Sequence, residues 1–175
     1  IGSSSIVKWS SLARDFPFTS VINRGFGGSE LADSVFYADR IAIPYHPRAI
    51  VVYAGDNDIA AGKSPETVAA DFVAFREKIH AALPGTPIFY LSIKFSNSRI
   101  KLKDAMARAN ALIAADCAAH PNCTFVDVNT PMLGTDGHPR AELFQPDQLH
   151  MRPAGYAIWT RILTPLLTAA VGNKP

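Results

Sequence analysis

Long apolar runs are missing from this chain. Its uninterrupted hydrophobic stretches fall far short of the roughly 18 residues that a membrane-spanning helix needs. Charge of one sign is missing too: 17 Lys and Arg stand against 15 Asp and Glu, for a net charge of +2. There is no basic run and no stripe that alternates aromatic with basic residues. Stable membrane insertion and nucleic-acid binding are thereby disfavoured. Cysteine is scarce, with Cys117 and Cys123 flanking "CAAHPNC". They are too widely spaced for a C-x-x-C redox pair and have no Cys or His partners at zinc-ligand spacing. Two readings stay open for them, a pair of small buried thiols or a disulfide tying a helix end to the next strand. The disulfide would favour a periplasmic or secreted setting over a cytoplasmic one.

What is present is the material of a core. Hydrophobic residues make up 48% and charged residues 18% of 175 positions, which predicts one globular domain over residues 1–175. The sequence carries no signature of oligomeric state. Ile1 stands directly before a Gly-Ser turn, where a strand should lead in, so the first strand is expected to be truncated.

Four short runs are rich in β-formers and apolar on both faces: Thr19 to Asn23, Ala49 to Ala54, Ile88 to Ile93 and Thr124 to Val128. Strands of a parallel sheet covered on two sides read this way. Helical periodicity fills the gaps. Val68, Phe72, Phe75, Ile79 and Leu83 share one face after Ser64 as N-cap and Pro65 at the first helical position. Met106, Ile113 and Cys117 recur similarly. A last helix starts near Pro153 and carries Ile158, Trp159, Ile162, Leu163, Leu166 and Leu167, with Pro165 expected to kink or interrupt it. Alternation of strand and helix predicts a three-layer α/β domain with a parallel sheet, whose chemistry belongs in loops beyond the carboxyl ends of strands.

Four such loops are unusual. "IGSSSI" presents serine hydroxyls and backbone amides at a helix head, although a plain serine N-cap would look the same. "NRGFGGSE" allows positive φ and close backbone approach. It lacks the final glycine of G-x-G-x-x-G and the Lys-Ser/Thr of a P-loop, so it is read as a tight turn or an amide donor. "YAGDNDIAAG" clusters Asp56, Asn57 and Asp58. A calcium loop would need an oxygen ligand where Ala60 sits, whereas the Asn57 amide suits a developing oxyanion. "PDQLHMRP" places Asp147 three residues before His150, on a turn into the last helix. Alone, D-x-x-H is a frequent chance match. Beside a serine and amide donors, it becomes a base whose tautomer a carboxylate sets. Nucleophile, oxyanion donors and oriented base together are the parts of acyl transfer.

Taken in order, the four blocks resemble the SGNH (GDSL-type) hydrolase superfamily over the whole chain. The resemblance implies an α/β/α sandwich with a flavodoxin-like parallel sheet of about five strands. It places the nucleophile at Ser4, the rest of a triad at Asp147 and His150, and the oxyanion hole at the Ser4 and Gly28 amides with the Asn57 side chain. It implies no cofactor and no metal. One departure is Ser3, where the family usually has Asp; a serine-rich branch carries this form.

The resulting expectation is a serine esterase acting on small or short-chain acyl esters, carbohydrate O-acetyl esters among them. A lysophospholipase or thioesterase of the same mechanism is the neighbouring alternative, and an inactive binding paralogue is a second class. A metal hydrolase using Asp56, Asp58, Asp147 and His150 would leave the serine and glycine loops unexplained. Lys94 and Arg99, in "SIKFSNSR", are either contacts to an anionic substrate group or, as is commoner, solvated surface charges. His46, His80, His120 and His138 are read as structural. Trp9 and Trp159 are read as packing residues.

Overall fold

The computed structural model describes residues 1–172. Three parallel strands, β1 (Ile50–Val52), β2 (Ile88–Leu91) and β3 (Cys123–Val126), lie side by side in that order. Their register aligns Ile50 with Ile88 and Ile88 with Cys123. The sheet continues past β1 by single bridges, because Gly2 pairs in parallel with both Tyr53 and Gly25. Five chain segments therefore run side by side, three of them as regular strands.

Side chains alternate across the strands, and that alternation builds two cores. Ile50, Val52, Ile88, Tyr90 and Cys123 face one layer, formed with residues of α3 (Leu31–Ile41), α5 (Pro65–Ala82) and α6 (Lys103–Ala119). Phe89, Leu91 and Val126 face the other, with Trp9, Phe16 and residues of α7 (Pro153–Val171). The result is the expected three-layer α/β arrangement. Trp9 and Trp159 are both buried in the second core, with ring centroids 5.7 Å apart. No helix among the described residues is long and apolar enough to cross a membrane.

Helix starts follow local chemistry. The Ser64 hydroxyl accepts the Thr67 amide and Pro65 opens α5, whose buried stripe is Val68, Phe72, Phe75 and Ile79. The carboxylate of Asp58, fully buried, accepts the amide of Leu31 at the head of α3. Such a bond to a charged group is worth about 1.5–3 kcal/mol, which offsets part of the cost of burying the acid. Arg76 on α5 grips Asp116 on α6 with two bonds of 2.8 and 3.1 Å.

Two expectations are corrected. Residues Thr19 to Asn23 form no strand, because on this side of Gly2 the ladder reaches only Gly25 and a strand needs a partner along its length. Pro165 does not interrupt α7. Pro165 and Arg161, the residue whose carbonyl it deprives of an amide partner, are both exposed. Cys117 and Cys123, left open by the sequence, are joined as a disulfide between the end of α6 and the start of β3.

Candidate active site

The site gathers at the carboxyl edge of the sheet. Gly2 has φ +125°, and a Cβ there would fall 1.9 Å from the Tyr53 carbonyl oxygen, so only glycine lets the chain pass this close to β1. The Ser3 amide donates to that carbonyl at 2.9 Å, and the chain then turns into α1 (Ser4–Val7). The turn separates the three serines. Ser3 and Ser5 are buried and Ser4 is partly exposed.

His150 reaches Ser4 from the other end of the chain. Its Nε2 lies 3.0 Å from the Ser4 hydroxyl, and its Nδ1 lies 2.6 Å from Asp147 Oδ2. The turn between them is tight. Gln148 takes φ +53°, and Asp147 Oδ1 accepts the amides of Leu149 and His150, both at 3.0 Å. The His150 hydrogen bond, with the two amides, holds the Asp147 carboxyl well below the usual carboxylate range although the side chain is about half exposed. Around the turn, the Gln145 amide donates to the His150 carbonyl. Tyr156 on α7 donates to the Ser5 carbonyl, tying that helix to the serine turn.

The glycine loop packs beside the serine turn. Asn23 donates to the Ile6 carbonyl at 2.7 Å, and the Phe26 amide donates to the Gly2 carbonyl at 2.8 Å. Gly28 follows with φ +76°, and its amide, like that of Ser4, donates to no carbonyl among the described residues. Asn57, on α4 (Asp56–Ala60), ties the third loop to the second. Its Nδ2 donates to the Ser29 carbonyl at 3.0 Å, while Arg99 Nη2 donates to its Oδ1 at 3.0 Å.

Lys94 and Arg99 are not the solvated charges that their sequence context favours. Lys94 is 1% exposed, with Nζ 3.2 Å from the Tyr53 hydroxyl and 3.7 Å from Asp56 Oδ2, so it is closed off from a bound ligand as well. Burial pulls its ammonium pKa down, and neighbouring Asp56 pulls the other way. Arg99 Nη1 lies 3.2 Å from the same Asp56 oxygen. Two basic side chains thus converge on one buried carboxylate, that of the residue before Asn57. Sequence reasoning missed this arrangement because no motif spacing links residues 56 and 57 to residues 94 and 99.

The candidate metal ligands are not assembled. Asp56 faces Lys94 and Arg99, Asp58 faces Leu31 and Lys63, and no group of three or more His, Cys, Asp or Glu is poised for a metal among the described residues. His80 and His120 contact the carbonyls of Thr86 and Asp116; His120 Nδ1 is also 3.3 Å from the Asp116 carboxylate, a neighbour one helical turn back. An apolar cleft of about 350 Å³ bounded by Ile1, Trp9, Tyr45, Val51 and Leu163 is lined by none of Ser4, Gly28, Asn57, Asp147 or His150.

Residues 3–158 match the model of the GDSL-like lipase/acylhydrolase family. The chain belongs to this family. Among curated proteins nothing matches. Solved structures of the same fold include a GDSL-like lipase from Bacteroides thetaiotaomicron, at 20% identity and TM-score 0.81, covering 97% of this chain and 86% of that one. A carbohydrate esterase family 3 protein from Talaromyces cellulolyticus is similar at 12% identity and TM-score 0.77, covering 100% and 97%. An acetyl-xylooligosaccharide esterase from Geobacillus Stearmophilus is similar at 16% identity and TM-score 0.70, covering 97% and 80%. The GDSL-like family assignment makes the chain one of a group of acylhydrolases and esterases acting on ester bonds.

Proposed function

We propose that this GDSL-like protein is a serine esterase that hydrolyses small or short-chain acyl esters by way of an acyl-enzyme. The observation that carries the reading is the continuous line from Asp147 through His150 to Ser4, with contacts of 2.6 and 3.0 Å. Asp147 holds the Nδ1 proton, which leaves Nε2 as the acceptor facing the Ser4 hydroxyl. Of the three adjacent serines, Ser4 alone combines partial exposure with a contact to the base.

The mechanism follows from those positions. Ser4 Oγ attacks the ester carbonyl as His150 takes its proton. The Ser4 and Gly28 amides and the Asn57 side chain receive the oxyanion, each donor being worth about 3 kcal/mol in the transition state. Protonated His150 then hands its proton to the leaving alcohol. Water, deprotonated by the same imidazole, attacks the acyl-Ser4 ester and releases the acid.

Two relatives of the same fold are named as a carbohydrate esterase and an acetyl-xylooligosaccharide esterase, which makes O-acetylated sugars the substrate class to test first. The test is hydrolysis of p-nitrophenyl esters from acetyl to dodecanoyl, and of acetylated oligosaccharides, by wild type, Ser4→Ala and His150→Ala. Activity that peaks at short chains and is lost in both variants supports the reading. A maximum at long chains points instead to a lysophospholipase-like specificity, and full activity in Ser4→Ala removes the proposed nucleophile.

A further inference from the structure

We infer that Arg99 is a positioning residue, one that fixes which way the Asn57 amide faces and so aims an N–H at the oxyanion. The inference rests on the serine-esterase reading and adds a residue to it.

A side-chain amide has a donor end and an acceptor end of nearly the same shape, and its terminal torsion is roughly two-fold. Turned one way, Asn57 offers an N–H to an oxyanion; turned the other, it offers an oxygen lone pair and repels it. Both ends are keyed. Arg99 Nη2 lies 3.0 Å from Oδ1, and a guanidinium only donates, so a flipped amide would set donor against donor. The Ser29 carbonyl lies 3.0 Å from Nδ2 and only accepts, so the flip would set acceptor against acceptor there. One Nδ2 hydrogen is used at Ser29, and the second is left for the substrate. A positive charge on Oδ1 also withdraws electron density from the amide nitrogen, which strengthens that second hydrogen as a donor.

Arg99 is itself held. Its Nη1 lies 3.2 Å from Asp56 Oδ2, an ion-pair contact without hydrogen-bond geometry, and Asp56 precedes Asn57 on α4, so one planar group spans two consecutive residues. Arg99 lies at a kink within the segment Asn97–Leu102, with φ −118° and ψ 20°. Lys94, buried as well, lies 3.7 Å from the same Asp56 oxygen. Lysine in place of Arg99 would keep a charge near Asp56 but lacks the fork that reaches Asn57 at the same time.

The experiment compares wild type, Arg99→Lys, Arg99→Met, Asn57→Ala and the Asn57→Ala/Arg99→Met pair. Because Arg99→Met leaves Asp56 short of a partner, Asp56→Asn/Arg99→Met is included, with thermal melting on every variant. Two readouts are taken: kcat and KM on p-nitrophenyl acetate, and the ¹H–¹⁵N signals of the Asn57 side-chain amide in the free protein. The expected result is a kcat lower by roughly 10–100-fold in the Arg99 variants with KM within about two-fold, since one oxyanion donor is weakened rather than removed. Arg99→Met should cost nothing further in the Asn57→Ala background, and the Asn57 amide signals should move in both Arg99 variants. Unmoved amide signals, or an Arg99→Met loss of equal size with and without Asn57, would overturn the inference. Moved signals with no turnover of any ester by wild type would instead sink the esterase reading while leaving the hold of Arg99 on Asn57 standing.

Discussion

Asp147 holds both the ring and the backbone of His150: Oδ2 meets Nδ1 at 2.6 Å, and Oδ1 accepts the His150 amide at 3.0 Å. One carboxylate therefore sets the tautomer of the imidazole and the shape of the turn that carries it. The two roles separate by substitution. Asp147→Asn keeps an oxygen able to cap the turn but offers no anion to steady the imidazolium, so kcat should fall by about 10³–10⁴-fold with little change in melting temperature. Asp147→Ala should lose the same activity and also about 1 kcal/mol of stability, as the Leu149 and His150 amides lose their acceptor. Circular-dichroism melts beside steady-state kinetics would read both.

The acid limb of the pH–rate profile should report one proton. His150 and two amides hold Asp147 below its ordinary 3.8, so this acid stays ionised where an ordinary carboxylate would take up its proton. For a depressed carboxylate the sign is fixed: its contribution to stability is fully present above the ordinary value and is lost only as pH falls through the lower folded one. A plot of log kcat/KM against pH should therefore fall with unit slope on its acid side. A slope of two would show the carboxylate titrating together with the base.

Gly2 and Gly28 both have positive φ but should tolerate alanine very differently. At Gly2 a Cβ would lie 1.9 Å from the Tyr53 carbonyl oxygen, a backbone atom that cannot yield without breaking the sheet edge, so Gly2→Ala should abolish folded yield. At Gly28 a Cβ meets no atom within 4 Å, and the cost is the left-handed backbone alone, about 1–2 kcal/mol. Gly28→Ala should fold, melt a few degrees lower, and lose kcat by at most the ~10²–10³ that removing one oxyanion donor costs. Yield, melting temperature and kcat for the two variants give the comparison.

The parts of this molecule that were legible in the sequence are those set by local rules. The α5 helix announces itself through Ser64, Pro65 and a buried stripe at Val68, Phe72, Phe75 and Ile79, and it forms where periodicity places it. Parallel strands β1 to β3 read as short apolar runs because both of their faces are covered. Thr19 to Asn23 reads the same way, yet strand formation depends on a neighbour, and composition does not reveal neighbours. The candidate site divides likewise. Asp147 and His150 sit close in sequence, so their turn was readable. Arg99, Lys94 and Asp56 meet only through the crossover from β2, and lysine and arginine look like surface residues until the fold buries them.

The disulfide should stabilise the chain without touching catalysis. Cys117 and Cys123 are six positions apart and close a small loop between α6 and β3, so the chain-entropy saving is about 2 kcal/mol, near the low end for disulfides. For a domain of this size that corresponds to a melting temperature about 4–8 °C lower in Cys117→Ala/Cys123→Ala. Reductant should lower the melting temperature of wild type by a similar amount and leave the double variant unmoved. Both sulfurs lie in the core on the α5–α6 side of the sheet, and neither is hydrogen-bonded to the Ser4, Asn57 or His150 loops, so kcat should stay at the wild-type value. A double variant that melted like wild type would show that the two thiols are not bonded in solution.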